Sequence, residues 1–362
     1  MVGRTIAQDL ATRYAVTVAD HHQGNLDLLQ TGVAKIQTDL SVAKNVEDVI
    51  RDADLVIGAV PGFMGYKTLE TVINAGKNVV DISFFPEDAL ALDALAKSKN
   101  VTAVVDCGVA PGMDNILLGF HYSRMKVQSF TCMVGGLPRV RTMPFQYKAP
   151  FSPVDVLEEY TRPARLIENG NIVVKPALSE PHLVEFDQAG TLEAFNTDGL
   201  RSLLFTMPVR EMKELTLRYP GHRQLMEDFS RMGFFDSTPV TVNGVQISPI
   251  EFTAKMFFPK WKYEDGEQDI TVMRVIISGT ENEKPKTYTY DLYDTYDAKT
   301  NTRSMSRTTG FTCTAVATML LEGTYGEKGI IVPEYLGKDT AHVKFVLEYL
   351  KQRGVEYKRT VR

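Results

Sequence analysis

The chain has 362 residues, 44% of them hydrophobic, enough to build the cores of two ordinary domains. Lysine and arginine total 40 against 45 acidic residues, so the net charge of −5 offers no broad basic field for nucleic acid or anionic lipid and favours a small-molecule substrate. Cys107, Cys132 and Cys313 lack CxxC or His-rich spacing, which argues against a disulfide framework and a metal site; with no long apolar run and no secretory leader, a cytoplasmic protein without membrane contact is expected.

Residues 1–125 alternate short β-branched runs with helix-length segments at a spacing of roughly 20 to 25 residues, a βαβ rhythm. The pattern predicts helices at about 4–12, 24–31, 45–51, 64–75, 86–98 and 112–124, the fourth closing at Gly76. Strands are predicted at 15–20, 35–38, 54–60, 78–83 and 102–106. Near-continuous apolar runs suit strands covered on both faces, so the expected fold class is α/β, a Rossmann-type doubly wound parallel sheet.

Such a sheet opens on a strand running into Gly-x-Gly-x-x-Gly, yet this chain starts Met1-Val2-Gly3-Arg4-Thr5. Only the last glycine has a counterpart. The first strand is therefore expected to be missing, through a start downstream of the natural first codon. With Gly3 as the third glycine, where a missing side chain permits close helix-to-strand packing, Asp20 falls 17 residues on, at the tip of the second strand. Its carboxylate would accept hydrogen bonds from an adenosine ribose and repel a 2′-phosphate, and His21-His22 follows in place of an arginine. NAD is preferred over NADP. The plainer role for Asp20 is to start a turn.

Strand carboxyl ends supply the other cofactor candidates: Val60 and Pro61 in Ala59-Val-Pro-Gly-Phe-Met-Gly65, then Ser83 and Phe84, then Gly108. The run Val105-Asp-Cys-Gly-Val-Ala-Pro-Gly-Met-Asp-Asn115 sets two acids and a thiol around a Pro-Gly turn before a helix. A carboxylate attracts an ammonium ion, and hydride leaves carbon only once the amine nitrogen has lost its proton. Asp106 and Asp114 are thus candidate bases. Asp114 is equally placed to act only on the helix start, and Cys107 reads as a buried filler.

Beyond residue 125, strands are predicted at 130–134, 172–174, 269–277 and 286–293, with a small-residue helix at 308–322. The domains expected are a dinucleotide-binding domain over 1–125, an α+β substrate and dimerisation domain with a mixed or antiparallel sheet over 126–306, and C-terminal helices over 307–362 returning to the first domain.

The Val105–Asn115 run resembles the strand-turn segment of the saccharopine dehydrogenase superfamily. Gly135-Gly-Leu-Pro138, Glu158-Glu-Tyr-Thr-Arg-Pro-Ala-Arg165, Thr197-Asp-Gly-Leu-Arg-Ser202, Thr216-Leu-Arg-Tyr-Pro-Gly-His222 and Ser304-Met-Ser-Arg-Thr-Thr-Gly310 are similar, in order, to its lysine 6-dehydrogenase branch. The resemblance spans nearly the whole chain and departs at the absent Gly-x-Gly. It implies NAD-dependent oxidative deamination of the lysine side-chain amine, with ammonia released, to allysine, which cyclises to piperideine carboxylate. It also implies a homodimer or larger homo-oligomer. The alternatives are a saccharopine-type dehydrogenase acting on a secondary amine and a catalytically silent dinucleotide-binding protein.

A substrate carboxylate is best held by a guanidinium, whose planar fork matches two oxygens. Arg201 and Arg218 lie in two of the family-like segments and are favoured, with Arg307 a further candidate; Arg162 and Arg165 sit in a predicted turn, and Asp198 reads as a partner for Arg201. Tyr160 and Thr197 are candidate polar ligands. His222 is a candidate proton carrier beside Asp106 and Asp114, whereas His121 and His182 read as structural.

Overall fold

A computed structural model describes residues 1–150 and 153–362. The chain runs α1 (Val2–Leu10), β1 (Thr17–Asp20), α2 (Gln23–Asp27), β2 (Ala34–Gln37), α3 (Ala43–Ile50), β3 (Leu55–Gly58), α4 (Gly62–Asn74), β4 (Asn78–Asp81), α5 (Asp93–Ser98), β5 (Thr102–Val104) and α6 (Met113–Tyr122). It continues through β6 (Lys126–Pro138), α7 (Pro153–Thr161), β7 (Ala164–Glu168), β8 (Asn171–Lys175), β9 (His182–Phe186), β10 (Gly190–Asn196), α8 (Leu203–Thr206), β11 (Glu211–Arg218) and α9 (His222–Arg231). The remainder is β12 (Val240–Val242), β13 (Val245–Ile247), α10 (Pro249–Trp261), β14 (Asp269–Glu281), β15 (Lys284–Thr295), α11 (Ser304–Leu321), β16 (Gly329–Ile331), α12 (Pro333–Leu336), α13 (Thr340–Gln352) and β17 (Tyr357–Val361). Two units divide it: Met1–Arg124 with Ser306–Val355, and Met125–Met305 with Glu356–Arg362.

The first unit is α/β, and its ladder pairs are parallel, β1 with β2 and β16-β5-β4-β3 in a second sheet. Rossmann order sets one more strand between the equivalents of β1 and β3, and no described strand pairs with both. The consequence is visible in burial. Val79, Val80, Ala103 and Val104 in β4 and β5 are buried, whereas Val18 and Ala19 of β1 and Leu55, Val56 and Ile57 of β3 remain half-buried, short of the two-sided cover their apolar runs suggest. α3 and α4 close the larger core with Val46, Ile50, Leu69, Val72 and Ile73; a smaller cluster joins Ala7 of α1 to Leu26, Leu29 and Val33. Gly76 stands at φ 71 just after α4, the left-handed position that ends a helix cheaply only as glycine.

The second unit centres on a nine-stranded mixed sheet ordered β17-β15-β14-β6-β11-β10-β9, with β7 pairing β11 and β8. β6 and β11 are parallel, while β14 is antiparallel to both β6 and β15. Asn282 and Glu283, both at positive φ, make the tight turn that fixes the β14–β15 register. One core under the sheet gathers Leu137, Leu192, Leu215, Leu217 and Val272; another gathers Phe145, Tyr160, Phe195, Met226, Phe257 and Trp261.

Two expectations are corrected. Arg165, read as part of a turn, lies in β7, because Ala164–Glu168 carries its own alternation against β8. The C-terminal segment is not helical to its end. Residues 357–361 form β17, which pairs with β15 and so belongs to the second unit.

Close backbone packing makes a direct test of the first unit. A Cβ on Gly119 of α6 would lie 2.0 Å from the Glu334 carbonyl oxygen of α12, whereas one on Gly24 meets nothing within 4 Å. Gly119→Ala is expected to cost about 3 kcal/mol, read as a lowered Tm, and Gly24→Ala to change it little.

Candidate functional site

In the first unit the cofactor candidates fall at the carboxyl ends of parallel strands, or at the helix starts that follow them. Gly3 occupies the first turn of α1, whose N-cap is Met1 without a side-chain cap hydrogen bond. A Cβ on Gly3 would sit 3.6 Å from the Ala59 Cβ, an ordinary contact. Close helix-to-strand packing therefore does not require glycine there. Asp20 ends β1; its carboxylate accepts the His22 N–H at 2.8 Å and the Asn25 amide at 3.1 and 3.2 Å, holding the turn into α2 while staying partly exposed. Pro61 precedes α4, Val60 is half-buried, and the neighbouring Phe63 projects into solvent at 75% exposure.

The carboxyl ends of β4 and β5 are more tightly built. Asp81, which sequence reasoning did not single out, is fully buried and accepts the Ser83 N–H at 2.7 Å, with the Ser83 hydroxyl at 3.4 Å. Its backbone carbonyl accepts the Cys107 N–H at 3.0 Å. A Cβ on Gly58 would come within 1.8 Å of an Asp81 carboxylate oxygen, so the glycine ending β3 exists to admit that carboxylate. A carboxylate at a strand end two residues before a serine was the available signal. Ser83 is thus engaged with Asp81, and Phe84 is half-buried beside it in sequence.

Asp106 sits 6% exposed with φ 52, a strained conformation of the kind that accumulates at functional positions. Gly112, at φ 141, approaches Gly108 so closely that a Cβ would lie 2.0 Å from the Gly108 carbonyl. The turn is closed by Gly112 N–H to Asp114 Oδ1 at 3.0 Å and to Asn115 Oδ1 at 3.3 Å. Asp114, 1% exposed, therefore serves the start of α6. Burial, with the charges of Asp106 and Asp81, pushes the Cys107 thiol far up, so it stays protonated and acts as filler.

In the second unit the structure brings Tyr160, Arg218 and His222 together. His222 Nδ1 lies 2.7 Å from the Phe145 carbonyl and must donate to it, which leaves Nε2 to accept the Tyr160 hydroxyl at 2.9 Å. That hydroxyl in turn accepts Arg218 Nε at 3.1 Å. Arg218 spends Nη1 on the Leu217 carbonyl and Nη2 on Glu159 at 2.7 Å, with its guanidinium 4.5 Å from the Tyr147 ring centre. Burial, then the adjacent Arg218 charge, depresses His222 to about 3, against the opposing hydrogen bond to Phe145. A ring with both nitrogens occupied and that affinity for protons has no proton to carry at neutral pH. The expectation of a proton carrier at His222 is corrected to a structural one, and Arg218 is taken up by Glu159.

The remaining candidates are distributed. Thr197 donates to Glu214 at 2.6 Å and lies 2.9 Å from the Thr216 hydroxyl. Asp198 is clasped by Arg165, with Nε and Nη2 each at 2.8 Å, and is not reserved for Arg201. Arg201 is buried at 7% exposure with φ 50. Arg307, in the first unit, donates to the Arg353 carbonyl at 2.9 Å at the end of α13. Among the described residues no helix is long and apolar enough to cross a membrane.

Comparison with known proteins places these features in a family. Residues 1–104 match the family model for the saccharopine dehydrogenase NADP binding domain, and residues 108–355 match the saccharopine dehydrogenase C-terminal domain. Alpha-aminoadipic semialdehyde synthase of Arabidopsis thaliana is 27% identical over 225 residues, 57% of this chain and 21% of that one. A saccharopine dehydrogenase (NADP(+), L-glutamate-forming) of Pyricularia oryzae is 27% identical over 242 residues, 60% of this chain and 52% of that one. The chain thus spans between about a fifth and about half the length of these relatives. The apo saccharopine dehydrogenase (L-Glu forming) structure from Saccharomyces cerevisiae superposes with a TM-score of 0.80 at 19% identity, covering 100% of this chain and 97% of that one. The chain belongs to the saccharopine dehydrogenase family.

The depressed His222 carries a pH signature. Unfolded, the imidazole titrates near 6.5; folded, near 3, so the unfolded state binds the extra proton between those values. Stability from this group is complete above pH 6.5 and is lost as pH falls toward 3, amounting to about 3 kcal/mol at pH 4.5. Melts from pH 7 to 4.5 are expected to show that slope in the wild type and a shallower one in His222→Gln; parallel slopes refute the assignment.

Proposed function

We propose that the chain is an NAD(P)-dependent oxidoreductase acting on the carbon–nitrogen bond of an amino-acid amine, and that its substrate is L-lysine, oxidised at the side-chain amine to allysine with release of ammonia. The first unit's donor set fits a dinucleotide: the first turn of α1, a partly exposed carboxylate at the tip of β1, and turns at the carboxyl ends of β3 to β5. When bound, the nicotinamide takes the hydride. Gly3, Asp20, Val60, Pro61, Ser83, Phe84 and Gly108 are the residues proposed to line it. Asp20 favours NAD, since a 2′-phosphate would meet a like charge; the matching family model is labelled for NADP.

Asp106 is the proposed base for the amine proton, being a nearly buried carboxylate in a strained backbone at a strand end. Arg201 is the proposed holder of the substrate carboxylate. Lysine over a larger substrate is supported by the resemblance of residues 158–165, 197–202 and 216–222 to the lysine 6-dehydrogenase branch. Arg165 is held by Asp198, Arg218 by Glu159, and Arg223 by Glu193 and Glu227. Lysine brings a single carboxylate for Arg201 to hold, whereas saccharopine brings several. The saccharopine reading remains the second, supported by the names of the relatives.

The test is initial-rate NADH or NADPH formation with L-lysine and, separately, L-saccharopine. Lysine-dependent reduction of NAD with stoichiometric ammonia is expected; reduction with saccharopine alone overturns the substrate. Asp20→Ser is expected to raise the NADP-to-NAD ratio of kcat/KM at least about tenfold by removing the repulsion. Asp106→Asn is expected to lower kcat by about 10²-fold or more.

A further inference from the structure

We propose that Asp9, in the last turn of α1, is a positioning residue for the dinucleotide: its carboxylate fixes where α1 stands against α11 and α13, and so where the first turn of α1 meets the cofactor. The inference rests on the reading of that turn as part of the dinucleotide site. Asp9 gathers donors from two helices of the returning segment. Its Oδ2 accepts the Thr314 hydroxyl of α11 at 2.5 Å and the Tyr349 hydroxyl of α13 at 2.9 Å, while Oδ1 accepts Arg353 Nε at 2.7 Å. The carboxylate side chain is 10% exposed and the arginine 18%. Arg353 is itself held, with Nη1 on the Tyr349 carbonyl at 3.1 Å and the guanidinium 3.4 Å from the Tyr349 ring centre.

The carboxylate does not serve α1 on its own. A negative charge in the last turn of a helix faces the carbonyl end of the dipole and is unfavourable there, whereas Arg353, at the end of α13, is favourably placed. The acid is explained by the neighbours that meet it. α1 also packs through apolar groups: Ala7 joins Leu26, Leu29 and Val33, and a Cβ on Gly310 of α11 would sit 3.4 to 3.6 Å from Ile6 and Thr5. Contacts of that kind are non-directional and tolerate sliding. Three directional hydrogen bonds onto one carboxylate do not, and they fix both the height and the rotation of the helix. Gly3 stands about 9 Å along the axis from Asp9, and a helix of that length carries a shift at one end to the other. A displacement of about 1 Å at a binding or reacting group costs up to about 10²-fold.

Cofactor affinity, measured beside kcat and Tm on the full chain, separates positioning from stability. Asp9→Asn keeps the size of the side chain and removes its charge; Tyr349→Phe removes one hydroxyl and carries the test if Asp9→Asn does not fold. Gly119→Ala is the control, since it lowers Tm through its clash with Glu334 rather than through α1. The dissociation constants of NADH and NADPH are read from the change in their fluorescence on binding. For whichever of the two the wild type binds, Asp9→Asn is expected to raise the constant about tenfold and Tyr349→Phe about threefold, with kcat at saturating cofactor and amine within about twofold of wild type. Gly119→Ala is expected to lower Tm at least as far and to leave the constant within about twofold. Wild-type affinity in both Asp9→Asn and Tyr349→Phe, a fall in kcat that keeps step with the loss of affinity, or an equal loss of affinity in Gly119→Ala overturns the inference alone. A wild type that binds neither NADH nor NADPH overturns the reading of a dinucleotide site, and the inference with it.

Discussion

A guanidinium buried to 2% exposure must have its N–H donors met inside the protein, and the way Arg218 meets this requirement orders much of the second unit. It draws on its own strand through the Leu217 carbonyl, on α7 through Glu159 and Tyr160, and on the face of Tyr147 in the preceding loop. Tyr160 passes the constraint on: with its oxygen lone pair facing Arg218, its proton must go to His222, and His222 must then turn its own N–H to Phe145. One cation thereby ties β11, α7, α9 and the 145–147 loop into a single donor-to-acceptor sequence. Removing one member of a buried charge pair costs about 3–5 kcal/mol, several times what an exposed ion pair contributes. The same arrangement removes two residues from chemistry that their position in family-like segments suggested they performed.

The first unit is organised by a different constraint, the need to seat carboxylates at strand ends where the parallel sheet opens. Asp81 is admitted because Gly58 offers no side chain, and it is satisfied by the N–H of Ser83. Asp106 follows at the next strand end in a backbone conformation that a non-glycine residue adopts at a cost of about 1 kcal/mol or more. Asp114 resembles them in type and spacing but spends its carboxylate on Gly112. Three acids on one sheet edge therefore divide into a scaffold, a strained group and a helix-start ligand. Backbone geometry makes that division; residue type does not.

How much of this was legible in the sequence follows from which signals are local. The βα rhythm of residues 1–125 is local, and its elements fall within a few residues of those observed, because each helix face and apolar run can be read without knowing its neighbours. β9, β10 and β11 escaped: in Leu192–Asn196 and Glu211–Arg218 alternation is blurred by residues buried on both faces. β12 and β13 flank Asn243-Gly244, a strong hairpin signal that could have found them. β17 could not be found locally, since Tyr357–Val361 becomes a strand only by meeting β15, more than sixty residues earlier. At the site, the types were legible and the partners were not. Nothing local distinguishes Arg201 from Arg218, and only tertiary contact shows that Arg218 has Glu159 and that Asp198 has Arg165.

Family membership constrains the scaffold more tightly than the substrate, and charge accounting shows why. The dinucleotide asks little of side-chain charge: helix-start N–H groups and strand-end turns follow from the parallel sheet itself, so they persist at the 19% identity seen with the yeast enzyme structure. Side-chain charge is more particular: a guanidinium takes up an outside carboxylate only in competition with whatever internal partner it already has, and Arg165, Arg218 and Arg223 each face an internal carboxylate. One Glu or Asp gained or lost beside an arginine shifts that competition while leaving the parallel sheet and its turns untouched, which is why the fold is kept where the contacts of single arginines are not.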